Sequence, residues 1–197
     1  DLSQTVFTIE AWFKANNGGG SDDFMTIVNR EDNSYTDRNF WLVISDGFAP
    51  TLGFTDGEVA FRIGDGSGAP FTLHSYNGNN KDYRDGQWHH AAVVVDDANG
   101  TATLYVDGKE LDNATFSSGS IWTGSAPMTI GSQYSATNRN FEGEIDEVRY
   151  WSDVRTQQEI QELMHESVPS PASKTNLVAY YNFDNGSGQT LTDQAGS

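Results

Sequence analysis

The stretch from Asp85 to Leu111, D-G-Q-W-H-H-A-A-V-V-V-D-D-A-N-G-T-A-T-L-Y-V-D-G-K-E-L, leaves the backbone few options. It contains Asn99-Gly100 and Asp107-Gly108, dipeptides that tolerate positive φ at both central positions of a type I′ turn. Between them Ala102, Leu104 and Val106 alternate with Thr103 and Tyr105, the period of a strand with one apolar and one polar face. The stretch predicts three antiparallel strands joined by two tight turns.

The rest of the chain reads the same way. Phe7, Ile9, Ala11 and Phe13 share one face of a strand over Val6–Phe13, with Thr8, Glu10 and Trp12 on the other. Further strands are expected over Phe24–Asn29, Phe40–Ser45, Pro50–Phe54, Val59–Ile63, Phe71–Ser75, Ala126–Ile130, Phe141–Trp151 and Leu177–Phe183. One helix is expected near residues 156–166: Thr156 and Glu159 form a capping box, Ile160, Leu163 and Met164 an apolar stripe, and Pro169 and Pro171 block its continuation. Many short strands and a single helix predict an all-β chain of two packed antiparallel sheets. No linker or repeat divides residues 1–197, so one domain is expected, a mature module or a piece excised from a larger multidomain protein.

With 28 acidic against 11 basic residues, the formal charge is −17. Nucleic acid, which needs clustered Lys and Arg, is disfavoured. The acidic excess serves solubility or holds Ca2+, a cation that takes oxygen ligands. The absence of Cys excludes disulfides, thiolate metal sites and a thiol nucleophile. No apolar run reaches the roughly 18–20 residues that a membrane-spanning helix needs, so membrane insertion is not expected. His89 and His90 are neighbours on a strand and point to opposite faces, which suits packing better than a shared ion.

Four segments in order, F-T-I-E-A-W-F from Phe7, D-G-Q-W-H-H-A-A-V-V from Asp85, L-Y-V-D-G-K-E-L from Leu104 and F-E-G-E-I-D-E-V-R-Y-W from Phe141, resemble the laminin-G-like, concanavalin A-like lectin/glucanase superfamily. The closest flavour is the pentraxin-related bacterial LamG-like domain. The resemblance implies a jelly-roll sandwich and a non-catalytic module of a secreted or cell-surface protein. Glycans or protein partners would be its ligands, often with Ca2+, and neighbouring domains of the parent chain its company. A structural or adhesion spacer is the alternative.

Candidate sites follow. The loop Glu31–Asn39 packs carboxylates and amides densely, and Asp32-Asn33 matches the pentraxin dipeptide that binds calcium, with Asp37 nearer the next strand. Ser132, Gln133 and Tyr134 depart from the acidic pattern of the pentraxin partner loop. Asp65, in the Gly-rich turn Gly64–Gly68, sits where laminin-G domains place a calcium ligand. In the strand Phe141–Trp151, Ile145 and Val148 have opposite parity. A β-bulge at Asp146-Glu147 would let both face inward and re-aim Asp146. Related sandwiches use a similar Asp as a Ca2+ ligand; a pairing with Arg149 or Arg155 is the other reading. Tyr35 and Tyr134, with Asn39, Asn138, Arg139 and Asn140, combine aromatic rings and polar groups suited to a sugar's apolar face and hydroxyl edges. Glu144-Ile145-Asp146 also begins a laminarinase-type catalytic pattern, but Val148 and Arg149 occupy the positions of its second Glu, so no enzyme is expected.

Overall fold

The structure, a computed structural model, describes residues 2–16, 24–31, 38–46, 53–64, 71–134, 136, 139–187 and 190–196. Two antiparallel sheets make a sandwich. The six-stranded sheet has the order β11 (Leu177–Tyr181), β10 (Gly143–Trp151), β1 (Val6–Ala15), β6 (His89–Asp96), β7 (Thr101–Val106), β8 (Lys109–Thr115). The five-stranded sheet runs β5 (Phe71–His74), β4 (Val59–Ile63), β3 (Arg38–Ser45), β2 (Phe24–Glu31), β9 (Thr129–Ile130). The core lies between them. Phe7, Ile9, Phe13, Val93 and Leu104 from the larger sheet meet Ile27, Phe40, Leu42, Phe61 and Leu73 from the smaller, all fully buried. Burial of that apolar area is the main favourable term holding the sheets face to face.

The alternation in β1 is as the sequence predicts, with Phe7 to Ala15 at odd positions buried in the core. The meander is also present, but only one of its turns has the expected form. Asp107 and Gly108 both take positive φ, 51° and 70°. At the other, Gly100 alone does, and the connection is a four-residue loop. The carboxylate of Asp96 accepts the Asn99 backbone N–H at 3.1 Å and its side-chain amide at 2.7 Å, and this chelation favours the longer loop.

Other differences have local causes. The predicted strand Pro50–Phe54 is corrected over its two described residues: Gly53 has φ +79° and neither it nor Phe54 lies in a strand. A one-turn helix α1 (Ser75–Gly78) follows β5. The helix α2 (Gln157–Leu163) has the capping box reciprocally formed between Thr156 and Glu159. It lays Ile160 on Ala92, Val94 and Tyr105, on the outer face of the six-stranded sheet.

The predicted bulge is present. Between β1 and β10, Glu10 pairs with Arg149 and Trp12 with Asp146, so three steps on β10 oppose two on β1. Glu147 absorbs the extra residue at φ +53°. Ile145 and Val148 therefore both reach the core, while Asp146 pairs beside Trp12 on the outer face.

Candidate functional site

The hairpin of β2 and β3 ends at one rim of the five-stranded sheet, where Arg30 pairs with Phe40 and Glu31 with Arg38. Charged and amide side chains are buried there. Arg30 donates to Asn39 Oδ1 at 3.1 Å, to the Gly124 carbonyl at 3.2 Å and to the Thr123 carbonyl. The Asn39 amide donates in turn to the Trp122 carbonyl. Asn29 Oδ1 accepts the backbone N–H of Tyr134 at 3.2 Å. Gln133, buried, donates to Glu31 Oε1 at 3.0 Å and accepts from Arg139. Buried polar groups of this kind are costly unless hydrogen-bonded, and this frame fixes the loops that supply the carbonyls.

Two exposed rings are mounted on that frame. Trp122 is 48% exposed and Tyr134 41%. Trp122 is held through its backbone, its carbonyl on Asn39 and its N–H on the Gly64 carbonyl at 3.1 Å. The anchors lie on or beside the two loops marked in the sequence, Glu31–Asn39 and Gly64–Gly68. Nothing local flags Trp122 except an aromatic in a Gly- and Ser-rich run, S-S-G-S-I-W-T-G.

The sequence candidates separate by position. Asp32, Asn33, Tyr35, Asp37, Asp65 and Asn138 lie outside the described residues. Asn39 is fully buried with its amide engaged on both sides, so its expected ligand contact is corrected to an internal bridge. Arg139, half-buried, holds its guanidinium 5.0 Å from the Trp41 ring and 5.8 Å from that of Phe24, and stiffens the loop. Tyr134 and Asn140 are exposed. Buried Asn29 Nδ2 has no hydrogen-bond partner among the described residues.

The outer face of the larger sheet is built differently. Arg149, 1% exposed, donates to the carbonyls of Leu163 at 2.9 Å and Glu166 at 2.6 Å and to the Glu147 carboxylate. It thereby clamps the segment after α2. Tyr180 donates to Glu147 at 2.8 Å. Glu10 accepts Trp151 Nε1–H at 2.9 Å and lies 3.3 Å from His90 Nε2. Burial works to raise the pKa of Glu10. The His90 hydrogen bond, the charges of His90 and Arg149 and the Trp151 bond outweigh it and hold the carboxyl below its ordinary range. His89 faces the other way, between Asp85 at 3.2 Å and Asp107 at 2.9 Å. Both histidines are thus packed and bonded, on opposite faces.

Asp146 is half-buried on this face. Its Oδ1 accepts the Glu147 N–H at 2.8 Å. Burial pushes its pKa up, and the charges of Glu147 and Asp184 push the same way. Its surroundings do not fit calcium, which takes six to eight oxygens. Glu147 is committed to Arg149 and Tyr180, and no group of three His, Asp or Glu suited to a metal occurs among the described residues. The laminarinase pattern fares no better: Glu144 is exposed and paired with Lys14 at 2.8 Å.

The match to known proteins agrees with this geometry. Residues 1–161 match the Laminin_G_3 model of the concanavalin A-like lectin/glucanases superfamily. Mouse pappalysin-1 is 27% identical over 165 residues, 81% of this chain but only 10% of that protein. A Bacteroides ovatus protein described as a candidate carbohydrate binder superposes with a TM-score of 0.72 at 24% identity, over 98% of this chain and 50% of its own. The CBM40 of the Ruminococcus gnavus IT-sialidase, bound to α2,3-sialyllactose, gives 0.60 at 16% identity over 81% and 83% of the two chains. No helix among the described residues is long and apolar enough to cross a membrane. From the alternating strands to the two antiparallel layers, this chain belongs to the concanavalin A-like lectin/glucanase superfamily.

Proposed function

We propose that the chain is a non-catalytic carbohydrate-recognition module of a secreted or cell-surface protein, with its glycan site at the rim where Trp122 and Tyr134 stand exposed. The observation that carries this reading is the buried amide and guanidinium frame of Asn29, Arg30, Asn39 and Gln133, which fixes two solvent-facing rings by their backbones. Rigid aromatic platforms with few conformations to lose suit the weak apolar face of a pyranose. Exposed Asn140 adds an amide for hydroxyl groups. The sialyllactose complex of the Ruminococcus CBM40 supports a sugar as ligand.

Ca2+ belongs to the same proposal. Asp32, Asn33 and Asp37, with Asp65 of the neighbouring loop, would supply oxygens, and the ion would offer a Lewis-acidic seat for sugar hydroxyls or carboxylates.

A glycan array with Ca2+, read for the wild type and for Trp122→Ala/Tyr134→Ala, tests the site. Binding that the double variant loses supports it. A double variant that keeps every glycan the wild type binds, or tight binding to a protein with no glycan retained, refutes it. Thermal unfolding in Ca2+ and in chelator tests the ion, because a ligand selective for the folded state raises the midpoint.

A further inference from the structure

A second concave surface lies on the other sheet. Trp12 of β1, Trp88 at the entrance to β6, Asp146 and Glu147 of the bulge, and His165 and Glu166 after α2 line a cleft of about 320 Å³. That is at the small end of the range for ligand sites, roughly 300–1,000 Å³, and suits a single sugar unit. We propose that this cleft binds an amino sugar, its ammonium held by Asp146 and its ring laid on the indoles. This goes beyond the rim reading and uses none of the rim residues.

The walls are preformed. The Trp12 indole N–H donates to the Met164 carbonyl, and its ring packs 5.4 Å from His165 on one contact and 5.4 Å from His90 on another. Arg149 fixes the carbonyls of Leu163 and Glu166 from beneath. The second wall, Trp88, is 41% exposed. An extended indole face at a cleft offers both an apolar platform and the negative ring face that attracts a cation within about 6 Å.

The charge is one-sided. Asp146, Glu147 and Glu166 line the cleft, and no lysine or arginine among the described residues does. Glu147 is neutralised by Arg149 and bonded by Tyr180, so its charge is spent locally. Asp146 is different: Oδ1 accepts one backbone N–H, and Oδ2 has no hydrogen-bond partner among the described residues. Asp146 and the exposed Glu166, beside two indoles and an imidazole, are still too few oxygens for calcium. The Asp146 carboxylate matches an ammonium, which needs one counter-charge and tolerates aromatic neighbours. Ser167 and His165 at the mouth provide hydroxyl and imidazole partners for ring hydroxyls, which a bare lysine side chain would leave unused.

The test uses the whole chain with three trisaccharides: glucosamine, N-acetylglucosamine and glucose, each β-1,4-linked, at a pH where the free amine is protonated. Tryptophan fluorescence and calorimetry read binding. The glucosamine trisaccharide should bind at least about tenfold more tightly than the other two. Trp88→Ala and Asp146→Asn should each weaken it about tenfold. Asn keeps the acceptor for the Glu147 N–H. One control, Glu110→Gln, which removes one charge on β8 at the far edge of the sheet, should leave the affinity unchanged. No preference for the amine, or an equal response to Glu110→Gln, overturns the proposal as diffuse attraction to an acidic protein. Loss of the amine preference in Trp122→Ala/Tyr134→Ala places the sugar at the rim and overturns it too. A trilysine peptide that outcompetes the sugar at Trp88 identifies a peptide as the occupant and also overturns it.

Discussion

The rim of the five-stranded sheet and the outer face of the six-stranded sheet both bury a guanidinium, and they use it differently. At the rim, the partners of Arg30 among the described residues include neutral oxygens, Asn39 Oδ1 and the carbonyls of Thr123 and Gly124. Under α2, Arg149 points at two carboxylates and two carbonyls. Arg30 ties loops together through an amide oxygen and two carbonyl dipoles. Arg149 balances charges that would otherwise be stranded, and its loss should be the more damaging.

The sharpest way to break that contrast is to remove each cation. Arg149→Met should cost about 3–5 kcal/mol in urea unfolding, because Glu10 and Glu147 are left buried or half-buried without their counter-ion. Adding Glu10→Gln should restore part of that loss; no recovery would mean that the carbonyl clamp, not the charge, carries the effect. Arg30→Met should cost about 2–3 kcal/mol, the scale of hydrogen bonds made by a charged group. Equal costs for the two arginines would erase the distinction.

Smaller changes refine it. Thr156→Ala removes the side-chain half of the capping box, the acceptor for the Glu159 N–H, and should cost about 1 kcal/mol. Because α2 ends in the segment that Arg149 clamps, this loss and that of Arg149→Met should not add. Acid acts on the outer face too. The Glu10 carboxyl lies below its unfolded value, so its contribution is full above about pH 4.5 and fades as pH falls through the lowered value. Asp85 and Asp107 are also depressed: burial opposes this, and for both the His89 hydrogen bond and charge contribute, together with backbone N–H bonds. They add to the same acid limb. Asp146 runs the other way. Its raised pKa makes the ionised form unfavourable in the fold, so Asp146→Asn should raise the unfolding midpoint slightly at pH 7 and lose that gain at low pH.

Much of the fold was legible because a period of two is hard to mistake. Phe7 to Phe13 could point one way only, and the parity conflict of Ile145 and Val148 locates the bulge in the sequence itself. The Asn99-Gly100 turn was misread because its form depends on a side chain three residues upstream, Asp96. Pro50–Phe54 was misread because apolar residues beside a loop also bury themselves: Phe54 packs on Phe24 and Trp41 without joining a strand. The functional surfaces were less legible. Trp122 owes its exposure to bonds with Asn39 and Gly64, 83 residues from the first of these, and sequence spacing carries no trace of that. Asn39 looked like a ligand group because an amide in a polar loop and an amide bridging beneath one are written with the same letter.

The placement of β1 between β6 and β10 has a kinetic consequence. One edge of β1 meets a strand about 80 residues away, the other a strand about 140 residues away, so the long loop must close before that second ladder can form. Until then Thr8, Glu10 and Trp12 border an open edge, where a second molecule in the same condition can pair instead. Refolding should therefore be slow and concentration-sensitive, and residues of β10 around the bulge should govern its rate.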